Sequence, residues 1–237
     1  MQDDIYILIP SRISSTRLVN KPLVDLNGKT LIQRVFKNAL EITTNSYVAT
    51  DSELIKENLK SISSKIIMTS PDHLSGTDRI FEAAKKINIQ DDSFILNLQG
   101  DEPFIPKKLI NQVIEDYSKN KCDVITVSTN IRSEEDILNP NCVLVDVDKS
   151  NYAINFGRTG DFTNTRRHIG IYGYSFKILK KITELEPTKN ELAYKLEQLR
   201  FLENKYSIYV SHYNENIPHG IDTKEDISNA IKFLNKK

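Results

Sequence analysis

The sequence predicts an α/β protein built on a mostly parallel sheet, and three observations lead to this fold class. Short apolar runs, at 5–9, 46–50 and 94–98, have the length and composition of buried strands. Between them, apolar residues recur at helical spacing, as in 30–40. The order strand, helix, strand, helix, strand implies right-handed crossovers between parallel strands. Ligands of such sheets bind at the carboxyl ends of the strands.

Composition sets the class of protein. A chain of 237 residues fits one large α/β domain or two small ones, and 39% hydrophobic residues supply a substantial core. Lys+Arg and Asp+Glu both number 32, which disfavours nucleic-acid binding through general charge. Cys122 and Cys142 have no metal or redox spacing. Without a secretory leader or an apolar run near 18 residues, we expect no membrane segment and a cytoplasmic location.

The first strand leads into a basic loop. We expect Pro10 to end the strand because proline has no N–H for a ladder. The following stretch to Lys21 is rich in hydroxyls, contains the cations Arg12, Arg17 and Lys21, and has no carboxylate. Hydroxyls, backbone N–H groups and cations suit a polyphosphate. No G-x-x-x-x-G-K-[ST] motif is present, so the loop is not a standard P-loop, and a solvated basic turn is the alternative interpretation.

The next elements bring further polar loops to the same sheet edge. A helix over 30–40 has Thr30 as a possible N-cap, and a helix over 52–60 and a strand over 65–69 follow. The loop from residue 70 opens a helix that continues to Ile87. Ser75 or Thr77 serves there either as an N-cap or as part of a helix N-terminus that faces a nucleotide base or sugar.

The strand at 94–98 runs into Gln99-Gly100-Asp101-Glu102-Pro103. Gly100 allows the backbone to approach a ligand closely. Asp101 beside a triphosphate-binding loop suggests Mg²⁺ held by a carboxylate and phosphates. An acidic turn that leads into the next helix, at about 107–120, is the alternative interpretation.

The second half of the chain continues with strands and helices of less regular order. We predict a single helix over 191–203 whose leucines at 192, 196, 199 and 202 face the core. We predict a terminal helix over 226–234, capped by Asp222 or Thr223. The other predicted elements are strands at 123–129, 143–147, 152–156, 168–174 and 206–210, a turn at 139–141, a loop at 157–167 and a helix at 175–185.

Taken together, eight segments resemble the cytidylyltransferases known as CMP-Kdo synthetases, which activate 3-deoxy-manno-octulosonate (Kdo). They are IPSRISSTRLVNKPL, VATD, SPDHLSGTDR, NLQGDEPFI, NPN, HIGIYGY, LEQLR and GIDTKEDI, in family order and over nearly the whole chain. The resemblance implies a Rossmann-like nucleotidyltransferase fold in a single domain, 1–237. It also implies a nucleotide-binding part at about 1–130 and 205–237, and a smaller sugar-binding, dimer-forming part at about 131–204.

The implied reaction joins CTP and a 2-keto-3-deoxy sugar acid into a CMP-sugar and pyrophosphate, with Mg²⁺ as cofactor, for lipopolysaccharide or capsule synthesis. By resemblance, the catalytic residues are Arg12, Lys21, Asp101 and Asp222, and the two aspartates bind metal. The nucleotide-binding residues are Pro10, Ser11, Arg12, Ser14, Ser15, Thr16, Lys21, Ser75 and Gly100. The sugar-binding residues are Arg79, Gln99, Arg158, Tyr172, Glu197 and Gln198, although a solvated helix face is the alternative interpretation of Glu197 and Gln198. A homodimer is also implied.

The sequence departs from the family pattern in the sugar half. Gly157-Arg158-Thr159 follows Phe156 where the family usually has Ser-Arg-Ala and then Ile-Pro, and Tyr194 stands where a second Glu is usual. These departures leave open a related acceptor, such as 8-amino-Kdo or a nonulosonic acid, or a nucleotidyltransferase for a different sugar. A non-catalytic nucleotide-binding module is the remaining alternative.

Overall fold

The computed structural model describes residues 4–14, 17–73, 75–131, 137, 142–158 and 164–235. Backbone contacts divide the chain into two compact units, the first comprising 1–108 and 217–237 and the second 109–216. The predicted boundaries near 130 and 205 concern the parts that bind nucleotide and sugar, and they stay a prediction. None of the helices in the described ranges has the length and apolarity needed to cross a bilayer.

The first unit contains a parallel sheet, which confirms the predicted fold class. Its strands are β1 (Ile5–Ser11), β2 (Ser46–Thr50), β3 (Ile66–Met68) and β4 (Phe94–Asn97), in the order β3-β2-β1-β4. Every pair is parallel, with Ile9 opposite Val48 and Ile7 opposite Leu96. The apolar side chains of residues 7–9 in β1 and 94–96 in β4 are almost fully buried, as expected for a sheet covered on both faces.

Three helices connect these strands, namely α1 (Leu31–Leu40), α2 (Glu53–Leu59) and α3 (Gly76–Lys86). Each begins after a hydroxyl side chain that accepts a backbone N–H, which satisfies one of the unpaired donors at a helix start. Thr30 forms a full capping box with Gln33, Ser52 caps α2, and Ser75, rather than Thr77, caps α3.

Pro10 does not end the first strand, contrary to the prediction, because β1 continues to Ser11. The N–H of Leu98 donates to the carbonyl of Leu8 (3.1 Å), so the even-numbered residues of β1 direct their backbone groups towards β4. Pairing between β1 and β4 stops at Leu8, whereas pairing with β2 continues to Ser11. The missing N–H of Pro10 therefore costs no ladder hydrogen bond.

The unit boundary falls in the first turn of α4 (Lys107–Lys119). In the second unit, β5 (Val124–Thr129) pairs in parallel with β9 (Ile208–Tyr213) and antiparallel with β8 (Thr165–Ser175). Strand β6 (Leu144–Val147) lies between β8 and β7 (Ala153–Gly157), antiparallel to both. Besides most of α4, the described part of this unit contains the helices α5 (Phe176–Thr183), α6 (Lys189–Tyr194) and α7 (Gln198–Glu203). The chain then returns to the first unit with α8 (Lys224–Leu234).

Two strands of the second unit, β8 and β9, differ from the sequence prediction by two or more residues at an end. Strand β8 begins at Thr165 instead of His168, because residues 165–167 pair with Leu144, Val145 and Asp146 of β6. Strand β9 begins two residues later than predicted and runs to Tyr213, because β5 supplies partners as far as Thr129. The predicted turn at 139–141 and the central part of the predicted loop, 159–163, lie outside the described residues.

The predicted single helix over 191–203 is wrong, since it is two helices. Lys195 adopts a left-handed conformation (φ 53°) that ends α6 before α7 begins. As a result Leu196 and Leu199 are buried, but Leu192 is 65% exposed instead of facing the core. Helix α8 begins at Lys224, two residues earlier than predicted, and its cap is Thr223 and not Asp222.

Candidate active site

A cleft of about 320 Å³ opens in the first unit at the carboxyl ends of β1 and β4. It lies where the sheet-edge argument places a ligand site. Four segments line it: the loop after β1, the loop that leads into α3 with the start of that helix, the exit from β4, and a single residue before α8. The lining residues are Pro10, Ser11, Arg12, Ser14, Arg17, Lys21, Pro22, His73, Ser75, Gly76, Arg79, Gln99, Gly100, Asp101 and Asp222.

Two carboxylates meet at one lysine in this cleft. Lys21 Nζ donates to Asp101 Oδ2 at 2.6 Å and to Asp222 Oδ1 at 2.9 Å, although Lys21 and Asp222 are 201 residues apart. A backbone hydrogen bond from Ile221 N to Asp101 O (2.9 Å) holds the two acidic segments side by side. Arg17 reaches the same oxygen of Asp222 at 3.0 Å. The structure therefore places two anionic and two cationic groups at one point.

Asp101 and Asp222 keep the Lys21 side chain protonated. Burial alone lowers the pKa of the Lys21 ammonium, but the attraction and hydrogen bonds of Asp101 and Asp222 outweigh burial and raise the pKa above 10.5. Lys21 is therefore cationic at neutral pH. The short helical turn Lys21–Leu23, with Pro22 in its first positions, fixes where this side chain leaves the backbone.

The basic loop contributes hydroxyl and guanidinium groups to the cleft. The Ser11 hydroxyl is buried, and no hydrogen-bond partner for it exists among the described residues. A buried, unsatisfied hydroxyl at a cleft wall is costly unless a ligand or water pairs with it. Arg12 and Ser14 also line the cleft and are exposed. Ser15 and Thr16, which we predicted to bind nucleotide, lie outside the described residues.

Gly100 is required by the packing of the protein itself. A Cβ atom at this position would lie 2.9 Å from the carbonyl oxygen of Pro10, which is closer than real contacts allow. The exits of β1 and β4 therefore approach each other through this glycine. Its predicted contact with a ligand is compatible with its place in the cleft lining and stays a prediction.

Ser75 serves as a helix cap within the cleft wall. Its hydroxyl accepts the N–H of Asp78 at 3.0 Å and donates to the carboxylate of Asp78 at 2.8 Å. Because the hydroxyl is used by the helix, what this turn offers a ligand is chiefly the backbone at the start of α3.

Arg79 lines the cleft but is deeply embedded in the first unit. Its side chain is 3% exposed and donates to Asp51 (2.9 Å), Thr69 (2.6 Å) and the carbonyl of Ser70 (3.2 Å). These bonds join the ends of β2 and β3 to α3. The guanidinium thus braces the cleft floor, and its predicted contact with the sugar acid stays a prediction. Gln99, also predicted to bind sugar, lies in the same lining.

The other four predicted sugar-binding residues belong to the second unit. Tyr172 is buried there, and burial, followed by the nearby Glu197, raises the pKa of its phenol well above 10. Gln198 is buried at the start of α7, so a solvated helix face does not describe it. Arg158 follows the last residue of β7 and is half-buried. Their roles stay predictions.

Four cleft residues were not assigned to the site from the sequence, namely Arg17, Pro22, His73 and Gly76. The cationic character of the first loop was a signal for Arg17, because that loop contains three basic residues and no acid. For His73 no pattern in the sequence distinguishes a cleft residue from an ordinary loop histidine.

Comparison with known proteins agrees with this architecture. The family model described as cytidylyltransferase matches residues 6–208. The chain is 40% identical to the 3-deoxy-manno-octulosonate cytidylyltransferase of Francisella tularensis subsp. tularensis (strain FSC 198), covering 98% of this chain and 99% of that protein. It is 39% identical to the protein of that name from Psychromonas ingrahamii, over 96% and 98% of the two chains.

A solved structure extends the agreement to three dimensions. The structure of CMP:2-keto-3-deoxy-manno-octonic acid synthetase complexed with CTP superposes with a TM-score of 0.89 at 30% identity, covering 98% of both chains. This match confirms the predicted nucleotidyltransferase fold. Family model, full-length relatives and fold agree, and the chain belongs to the cytidylyltransferase family, within it to the 3-deoxy-manno-octulosonate cytidylyltransferases.

Proposed function

We propose that this enzyme transfers CMP from CTP to Kdo and releases pyrophosphate. The anomeric hydroxyl of the sugar acid forms a bond to the α-phosphorus, the bond between that phosphorus and the β-phosphate oxygen breaks, and the hydroxyl proton is lost. Little covalent chemistry falls to the protein in such a transfer. Its task is to align the hydroxyl with the leaving pyrophosphate and to stabilise charge on the phosphates.

The observation that carries the proposal is the charge arrangement in the cleft of the first unit. Arg12, Arg17 and Lys21 line it together with Asp101 and Asp222, at the carboxyl ends of parallel strands. Three cations suit a triphosphate, and two carboxylates alone would repel one. A site with both charges therefore suits a triphosphate that brings a divalent cation with it.

In this proposal the basic loop holds the triphosphate. Lys21, cationic and bound to both carboxylates, is poised to reach a phosphate oxygen, and Arg12 and Arg17 offer planar donor groups from the rim. The Ser11 hydroxyl, which has no hydrogen-bond partner among the described residues, offers a further donor inside the cleft. The start of α3 would face the cytidine, with backbone donors from the turn at Ser75.

The residues present fit a Mg²⁺ ion. Asp101 and Asp222 direct one oxygen each to within 3 Å of a single cationic atom, Lys21 Nζ, so the two oxygens already converge on one positive charge. Mg²⁺ is usually held by one or two carboxylates together with substrate phosphates and water. When bound, the ion would supply charge stabilisation on the phosphates. We propose Asp101 and Asp222 as its protein ligands.

We also propose the homodimer that the family resemblance implies. Sedimentation velocity of the purified protein at several concentrations tests it, and a single species with the mass of one chain, 27.2 kDa, would reject it.

The first experiment measures pyrophosphate release with CTP and Mg²⁺, offering Kdo, 8-amino-Kdo and a nonulosonic acid in parallel. We expect release with Kdo at roughly 1 s⁻¹ or more, an ordinary enzyme rate. The other two acids are included because residues 157–158 depart from the family pattern, next to a segment outside the described residues.

Pyrophosphate release with only one of the other acids would support the proposed use of CTP but would replace Kdo by that acid as the acceptor. Release with none of them would reject the proposed reaction. Replacing CTP by ATP, GTP or UTP is the control for the nucleotide, and equal rates with any of these would reject cytidine specificity.

A further inference from the structure

Between β3 and α3, the described residues 69–73 and 75 lie outside the helices and strands and form one wall of the cleft. His73 and Ser75 line the cleft from this loop. Thr69 N donates to Thr50 O at 2.8 Å, but residues 70–73 have no helix or strand hydrogen bonds among the described residues, so side chains must hold them in place. Glu82, two turns into α3, provides such contacts.

Glu82 reaches back to the loop at two points. One of its oxygens, Oε2, accepts the backbone N–H of Ser70 at 2.9 Å and lies 2.5 Å from Nε2 of His73. The other oxygen, Oε1, is paired with Lys86 one turn further along α3, at 2.7 Å. The cleft lining includes His73 but not Glu82. Glu82 therefore has no place in the cleft lining, and any effect of its contacts on a ligand passes through the loop that it holds.

The ionisation of Glu82 fits this contact. Partial burial alone raises the pKa of its carboxyl group, but hydrogen bonds from Lys86, Ser70 and His73 outweigh burial and lower the pKa from 4.5 to about 2. The carboxylate is thus charged at any pH at which the enzyme is expected to work, and both hydrogen bonds to the loop are charge-assisted.

We infer that Glu82 is a positioning residue for nucleotide binding, which holds the imidazole of His73 and the backbone of Ser70 so that the cleft wall is formed before the nucleotide arrives. The inference rests on the proposed function, because it takes the cleft to be the nucleotide site. If the cleft wall is already ordered, no binding free energy of the nucleotide is used to order it. Binding is then tighter, which lowers KM for CTP without changing the chemical step.

The sign of the effect separates positioning from simple electrostatics. Glu82 is a negative charge near a site for a polyanion, so its removal by itself would tighten triphosphate binding. Loss of the contacts that hold His73 and Ser70 in place would instead weaken triphosphate binding. We therefore expect Glu82→Ala to weaken CTP binding, raising Kd and KM for CTP about tenfold while kcat changes less than about twofold.

The test is a set of variants measured by titration calorimetry with CTP alone and by steady-state kinetics. Glu82→Gln should restore Kd to within about threefold of wild type, because its amide oxygen still accepts the Ser70 N–H. Glu115→Ala is the matched control, since Glu115 pairs with Lys119 on α4 in the same i,i+4 manner, on an exposed surface. We expect no change in its Kd.

A double-mutant cycle tests the route through His73. If Glu82 acts by holding the imidazole, Glu82→Ala should add little to the effect of His73→Ala, and the double variant should bind CTP within about threefold of His73→Ala. Fully additive effects would overturn this route. If Glu82→Ala does not melt cooperatively, Glu82→Met, which keeps the length of the side chain, takes its place in the cycle.

The outcomes distinguish this inference from the proposed function. Tighter or unchanged CTP binding in Glu82→Ala, with normal binding by the wild type, would overturn the positioning role alone. A fall in kcat without a change in Kd would also overturn it. Failure of the wild type to bind CTP would overturn both the inference and the proposed nucleotide site.

Discussion

Lys21 determines the electrostatic character of the cleft at the scale of single residues. Its ammonium lies 2.6 Å from one carboxylate and 2.9 Å from the other, and only 17% of the side chain is exposed. Removing one member of such a partly buried group leaves the others without their partner, which is costlier than losing an exposed ion pair. Variants of the three residues therefore need a stability measurement beside each kinetic one.

We expect Asp101→Asn and Asp222→Asn each to lower kcat about 10²-fold or more, because each removes a charged oxygen from the proposed metal site. The amide keeps the shape of the side chain, so we expect a cooperative thermal melt close to that of wild type. Pyrophosphate release at saturating Mg²⁺ checks the first point and circular dichroism the second. Asp92→Asn, at an exposed turn, is the control. Near-wild-type rates in both variants would contradict the metal assignment.

Lys21→Ala should affect CTP far more than the sugar acid. Loss of a charge-assisted contact to phosphate is expected to raise KM for CTP about tenfold or more, with KM for Kdo changed less than about threefold. The measurement is a pair of substrate titrations, each with the other substrate saturating. Lys29→Ala, which removes an exposed lysine from the turn before α1, is the control. An unchanged CTP dependence would show that Lys21 serves only Asp101 and Asp222.

At the scale of elements, the break between α6 and α7 is explained by a buried ion pair. Arg200 in α7 donates Nε to Glu191 in α6 at 2.7 Å and pairs with its other oxygen through Nη2. Both side chains are about 10% exposed. Glu191 also accepts the N–H of Thr188 as part of a capping box. The left-handed turn at Lys195 lets two short helices face each other with this pair between them.

We expect Arg200→Met to destabilise the protein by about 3–5 kcal/mol, because it leaves the buried Glu191 carboxylate without its cation. The double variant Glu191→Met/Arg200→Met should lose less, since no unpaired charge remains, although the capping box is still lost at about 1 kcal/mol. Urea unfolding of the wild type, Arg200→Met and the double variant measures these differences. Equal stability of Arg200→Met and wild type would mean that the pair contributes nothing.

At the scale of the whole molecule, acid sensitivity follows from a buried histidine in the second unit. His168 lies against the rings of Phe156 and Tyr172, and its Nε2 is 2.8 Å from the Thr126 hydroxyl. Burial lowers the pKa of this imidazole from 6.5 to about 3. Between these two pH values the unfolded chain binds a proton that the folded chain does not, so acid favours unfolding.

The free energy of unfolding should therefore fall as the pH decreases from about 6.5 towards 3. We expect His168→Gln to be less stable than wild type at pH 7, because it loses ring packing, but to lose less stability over that pH range. Urea midpoints at several pH values provide the measurement, with the exposed His219→Gln as control. The same pH slope in His168→Gln as in wild type would show that another group causes the acid sensitivity.

The local features of the first unit were largely predictable from the sequence. Strand β2, helix α1 and the Thr30 cap follow from periodicity and cap chemistry, which depend on neighbouring residues only. The predicted strand boundaries were wrong where the end of a strand depends on a pairing partner that is distant in the sequence. Residues 165–167 became strand because β6 pairs with them, and Pro10 stayed in β1 because β4 had already ended.

The sequence by itself determined the class of fold, the cationic loop after the first strand, and the kinds of residue available for phosphate and metal. Only the tertiary structure decided which of them meet. Asp101 and Asp222 both reach Lys21 because a backbone hydrogen bond aligns the segments that follow β4 and precede α8. The Glu82 contact with His73 likewise depends on the path of the loop before α3. Side-chain periodicity reports which face of an element is buried, but contacts between elements depend on how the whole chain packs.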